Sequence, residues 1–118
     1  MKIQIICIGK LKEKYWSEAL AEYMKRLSKY CDPQITELRE SKLPDKASAA
    51  DEEIVIDEEG KNILKHIKEG SYVVSLEIGG KALSSEELAE KIDDLALSGR
   101  SHITFIIGGS LGLSRDVS

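Results

Sequence analysis

The chain has 118 residues, 42% of them apolar and 32% charged, with 17 Lys or Arg against 21 Asp or Glu and a formal net charge of −4. That length suits one folding unit rather than two, so residues 1–118 are expected to form a single domain, and the apolar content is too high for a disordered chain. Aromatic residues make up only 5%, which leaves little surface for stacking single-stranded nucleic acid.

The opening MKIQIICIGKLKEKYW holds an apolar run too short for a signal peptide, with no small-residue cleavage site after it. No apolar run reaches the roughly 18 residues needed to span a bilayer. Membrane and secreted classes are set aside, and a cytoplasmic location is expected. Cys7 and Cys31 lie outside any CxxC spacing and are expected to be inert thiols; His66 and His102 share no metal-site spacing, and no metal is expected. Charge is unevenly spread. Residues 1–30 carry seven Lys or Arg against three Glu, a net of +4, and the remainder carries −8.

Lys2 to Ile8 is a β-branched run ended by Gly9 and reads as a buried strand. Tyr15, Trp16, Ala19, Leu20, Tyr23, Met24, Leu27 and Tyr30 then recur at three and four residues, the apolar face of a helix. Pro33 excludes its continuation, and Gln34 to Arg39 alternates as a strand does. Ser48 and Asp51 stand in capping-box order before a helix expected to end at Gly70, with Gly60 inside it at a cost of about 1 kcal/mol relative to Ala. Tyr72 to Ile78 is a third strand, ending at Gly79-Gly80. Ser84 and Glu87 open a third helix that runs to Gly99, and Ile103 to Ile107 is an apolar fourth strand. This alternation predicts an α/β fold, a mostly parallel sheet with helices on both faces.

Ligands of such sheets collect at the carboxyl ends of the strands. Three ends here carry glycine: Gly9, Gly79-Gly80, and the stretch Gly108-Gly109-Ser110-Leu111-Gly112. The last matches neither GxGxxG nor a Walker A loop, and a plain turn explains it about as well. Ser110 lacks the GxSxG setting of a nucleophile, and Glu77 reads more readily as a structural carboxylate than a catalytic one. No nucleophile, base and orienting acid stand together, so no catalytic residue is assigned. Such a site suits chemistry in which a cofactor carries the reactive group and the protein positions it. Lys10, Lys12 and Lys14 could meet phosphates of RNA, although a solvated loop is the commoner outcome.

The segments GKLKEKYW at Gly9 to Trp16, EYMKRLSKY at Glu22 to Tyr30, SLEIGGKALSSEELA at Ser75 to Ala89 and TFIIGGSLGL at Thr104 to Leu113 together resemble the ribosomal RNA large-subunit methyltransferase H family. Its members are SPOUT, or α/β-knot, methyltransferases. The resemblance covers essentially the whole chain. It implies methyl transfer from S-adenosylmethionine to ring nitrogen 3 of a pseudouridine in large-subunit (23S) ribosomal RNA by a cytoplasmic homodimer. It also implies that Leu76 and Gly108 contact the cofactor, with Gly109 and Gly112 as looser candidates. The family continues past the position of Ser118 with a last strand, a cofactor loop and a closing helix. From that difference the 118-residue form is expected to stop before the knot is complete, to bind cofactor weakly and to have little activity. It is also expected to leave Phe105 and Ile107 on an unpaired strand edge. Two other readings stay open: a non-catalytic RNA-binding module using the lysines, and a phosphate-binding domain in which Gly108 to Gly112 cradles an anion.

Overall fold

A computed structural model describes residues 1–109, 111–115 and 117. Among these, the elements follow in the order read from the sequence: β1 (Lys2–Ile8), α1 (Lys14–Leu27), β2 (Asp32–Leu38), α2 (Ala49–His66), β3 (Tyr72–Leu76), α3 (Ser85–Leu97) and β4 (His102–Ile107). The strands form one sheet in the order β2-β1-β4-β3, and every pairing is parallel. Parallel neighbours cannot be joined by a tight turn, which is why each connection carries a helix. Pro33 lies in β2, which among the described residues pairs with β1 alone, an edge position where a missing N–H is tolerated.

Strand alternation divides the side chains between two faces. Ile6, Ile8, Leu38 and Ile106 point to one face, where Ile63 of α2 and Val117 close a core with them. In register, Ile5 stands beside Ile35 and Phe105, and Phe105 beside Val74. These face the other way, where Leu20 and Met24 of α1 approach Ile35, and Leu88 and Lys91 of α3 approach Tyr72 and Val74. The α2 face turns polar toward the amino ends of the strands. There the Gln4 side-chain amide donates to the Thr36 hydroxyl at 3.0 Å, and the buried Thr104 hydroxyl donates to that of Ser71 at 3.1 Å.

Both helix starts expected from the sequence are capping boxes. Ser48 accepts from the Asp51 N–H and Ser84 from the Glu87 N–H, while each acidic side chain returns to its cap's backbone. One expectation needs correction. β4 is not an edge: it is hydrogen-bonded to β1 on one side and β3 on the other, so Phe105 and Ile107 sit in the sheet's interior row. Ile107 is 42% exposed through its side chain, with its strand paired. The apolar stripe of α1 is largely open: Leu20 and Met24 are half-buried toward the sheet, while Tyr15, Trp16 and Tyr23 are exposed. Ser114 is buried, and its carbonyl accepts from the Val117 N–H at 3.2 Å.

α2 is unbroken across Gly60, and packing supplies the reason. A Cβ at Gly60 would stand 3.0 Å from the Ser114 Cβ and 3.5 Å from a Val117 methyl. The chain after β4 lies directly on the helix there, and only glycine admits it. Gly60→Ala gains about 1 kcal/mol of helix propensity but incurs an overpacking cost of about 1–3 kcal/mol. Urea unfolding should show a net loss of about 1 kcal/mol; a gain would mean that residues 113–117 do not hold this contact.

His102 opens β4 with both ring nitrogens shut from solvent and, among the described residues, without a hydrogen-bond partner. Burial first, then the Lys68 and Lys2 charges, lower its pKa from 6.5. The unfolded chain therefore binds the proton more readily than the fold does. The stability that depends on a neutral His102 is complete above 6.5 and is lost as pH falls below that value toward the lowered folded pKa. Urea midpoints measured from pH 8 to 5 should fall in the acid range, and His102→Gln should flatten the fall. Equal pH slopes in the two proteins would remove His102 as the cause.

Candidate functional site

The carboxyl ends of the three strands β1, β4 and β3 bring their last side chains into one row. Ile107 pairs in register with Cys7 on one side and with Leu76 on the other. Strand spacing is about 4.8 Å, so Cys7 and Leu76 lie roughly 10 Å apart with Ile107 between them. All three project from the face that carries α1 and α3. Leu76 is 52% exposed and Ile78, just past the strand, is fully exposed. Gly80 closes a turn by donating its N–H to the Glu77 carbonyl at 3.1 Å. Glu77 itself stays at the surface, where its carboxylate accepts from the Ser75 hydroxyl at 2.7 Å. The structure thus brings Leu76 and Gly108 together, on adjacent strands at one edge.

The glycine loop turns toward the opposite face. The Gly112 N–H donates to the Gly109 carbonyl at 3.0 Å, and Gly112 has φ +91°, a left-handed conformation that favours glycine. Ser110, between them, lies outside the described residues. At Gly108 a Cβ would meet Leu113 Cδ2 at 2.8 Å and the Gly112 carbonyl carbon at 3.2 Å. At Gly109 it would meet a Glu59 carboxylate oxygen at 3.1 Å and the Ile8 Cγ2 at 3.2 Å. At both glycines an added Cβ would therefore press on a neighbouring side chain, Leu113 at Gly108 and Glu59 with Ile8 at Gly109.

The lysines divide. Lys10 stands in an apolar groove of about 380 Å³ that runs from Leu20 of α1 past Cys7 to Ile107. Lys12 shares a neighbouring cleft with Gly9, Lys10 and Arg39, alongside Glu37 and Glu40. Lys14 is in the first turn of α1 and lies 3.9 Å from Glu18, both side chains mostly in water. Lys10 and Leu76 thus belong to one edge of the sheet, whereas Lys14 points away with its helix. Cys7 is half-buried, and desolvation, followed by the Glu37 charge, raises its thiol pKa, so it stays protonated and unreactive.

The sequence analysis missed Glu59. It read as one more acid in a charged helix, yet it is 6% exposed, and its carboxylate accepts the Ser41 N–H at 3.1 Å. Burial raises its pKa most, the Glu40 charge adds to the rise, and the Ser41 N–H opposes it. The available signal was helical spacing: Val55, Glu59 and Ile63 fall on one stripe, beside Gly60.

Among the described residues no group of His, Cys, Asp or Glu is placed to hold a metal ion, and no helix is long and apolar enough to cross a membrane. Apolar side chains and close backbone at the strand ends form one open wall, with Leu76 and Ile107 partly exposed on it. They offer orientation rather than a nucleophile. This is the arrangement of an enzyme that positions a group carried by another molecule. The family described as "Predicted SPOUT methyltransferase" matches residues 1–118, and the chain belongs to it. It is 57% identical over 117 residues to the ribosomal RNA large subunit methyltransferase H of Clostridium novyi, covering 99% of this chain and 74% of that protein. The protein of the same name from Alkaliphilus oremlandii is 54% identical over 117 residues, and that from Clostridium botulinum Okra 51%, with the same coverage.

Leu113, which occupies the space beside Gly108, also packs against the core. Gly108→Ala should displace it and cost about 1–3 kcal/mol in urea unfolding, with the loss much reduced in a Leu113→Ala background. A full-sized loss in that background would place the strain elsewhere.

Proposed function

We propose that the protein is a ribosomal RNA methyltransferase that moves a methyl group from S-adenosylmethionine to ring nitrogen 3 of a pseudouridine in large-subunit (23S) RNA. The observation that carries this reading is the juxtaposition of Leu76 with Ile107 and Gly108 at one sheet edge, in a chain of this family. The relatives' names supply the RNA as substrate. S-adenosylmethionine, when bound, supplies an electrophilic methyl group on a cationic sulfur. Leu76 and Ile107 contribute the apolar wall, and the backbone at Gly79-Gly80 and Gly108 allows close approach. Gly109 keeps the loop in shape beneath it. Because the sulfur loses its positive charge during transfer, no strong anion is needed beside it. Holding donor and ring nitrogen in contact can supply roughly 7–11 kcal/mol of barrier reduction in well-oriented cases.

Residues 1–118 act in this reading as one α/β unit, working on ribosomal RNA in the cytoplasm. A homodimer belongs to the proposal, supported by the exposed apolar stripe of Tyr15, Trp16 and Tyr23 on α1. The wall as seen is open on its outer side, with Leu76 52% exposed.

The protein, incubated with unmodified large subunits and a donor carrying a tritiated methyl group, should label the RNA at nitrogen 3 of one pseudouridine. Salt-dependent RNA binding with no transfer and no donor effect would replace this reading with the non-catalytic module. Replacing Lys10, Lys12 and Lys14 together by Ala should weaken RNA binding and reduce the salt slope by about 2–3, at unchanged donor affinity. Unchanged RNA affinity would remove the lysines from the interface.

A further inference from the structure

We propose that Glu59 is a positioning residue for this reaction: from α2, its carboxylate holds the chain leaving β2 against the glycine loop leaving β4, and so sets the wall that receives the donor. The inference rests on the donor reading above. Its basis is geometric. One carboxylate oxygen accepts the Ser41 N–H at 3.1 Å, three residues beyond the end of β2. The other lies over Gly109, where a Cβ would come within 3.1 Å of it, and the Ile8 side chain at the end of β1 closes the same space at 3.2 Å. Glu59 therefore stands where the carboxyl ends of β2, β1 and β4 meet, and two loops take their spacing from it.

Stability does not explain a carboxylate in this place. Its side chain is almost wholly buried, and no ion pair with it is seen among the described residues. Burial and Glu40 both disfavour its charge. A glutamine would fill the same volume and still accept the Ser41 N–H without that penalty. What the charge adds is a stronger hold on a backbone donor. Rigidity in a supporting residue matters where a site works by orientation, because small displacements of the wall reduce productive contact.

The test compares Glu59→Gln and Glu59→Ala with the unaltered protein. Without any donor, hydrogen exchange at residues 108–113 should quicken about tenfold or more in Glu59→Ala, and less in Glu59→Gln, while the centre of the sheet keeps its protection. Glu59→Gln should melt at or above the wild-type temperature at pH 7, since it removes a disfavoured charge. In methyl transfer, KM for the donor should rise about tenfold in Glu59→Gln with kcat nearly unchanged, and further in Glu59→Ala. Exchange and donor KM both unchanged in a folded Glu59→Gln would overturn the proposal. So would exchange that rises equally across the whole sheet, which marks a purely structural residue. Should the unaltered protein fail to use the donor, the donor reading falls, while the exchange comparison still decides whether Glu59 holds the loop.

Discussion

Insertion of the last strand between the first and the third is the constraint on which the rest of this structure depends. β4 must satisfy backbone donors and acceptors on both sides at once, and Ile106 packs into the core with Ile63 of α2. Ile103, Thr104 and Ile106 are accordingly almost wholly shut from water. The same insertion places the ends of β1, β4 and β3 side by side. Cys7, Ile107 and Leu76 become neighbours although they come from segments separated by most of the chain.

The loop after β4 completes the arrangement by folding back rather than leaving. Gly108 makes room for Leu113, Gly109 for Glu59 and Ile8, and Gly60 of α2 for Ser114 and Val117. Three glycines on two distant segments thus serve a single packing event. The glycine loop is consequently shaped from the α2 side, whereas the apolar row of Leu76 and Ile107 opens toward α1 and α3. A molecule placed at this edge meets side chains from one layer and backbone held by the other. Membership of the SPOUT methyltransferase family gives that edge its chemical context, and the proposed donor contacts use both layers.

The balance of charge at the edge is mixed rather than basic. Lys10, Lys12 and Arg39 share their cleft with Glu37 and Glu40. The excess of positive charge in the first 30 residues therefore does not become a uniform phosphate-binding face. Its lysines are distributed between the groove, the neighbouring cleft and the first turn of α1. On the proposed reading, contact with RNA comes from a few placed cations rather than from a broad field.

The sequence by itself determined the element order, both capping boxes and the parallel character of the sheet. Each of these follows from local signals: the period of apolar residues, a Ser three positions before an acid, and strands separated by helices. It also singled out Leu76 and Gly108, through resemblance and not through any local chemistry. Strand order was decided only by tertiary pairing, because the run from His102 to Ile107 would look the same at an edge or at the centre. The exposure of the α1 stripe was likewise outside local reach, since periodicity gives a helix an apolar face without saying what covers it. Glu59 shows the difference most clearly. Its spacing placed it on the buried stripe of α2, but a carboxylate is tolerated there only because Ser41 and Gly109, from two other segments, come to meet it.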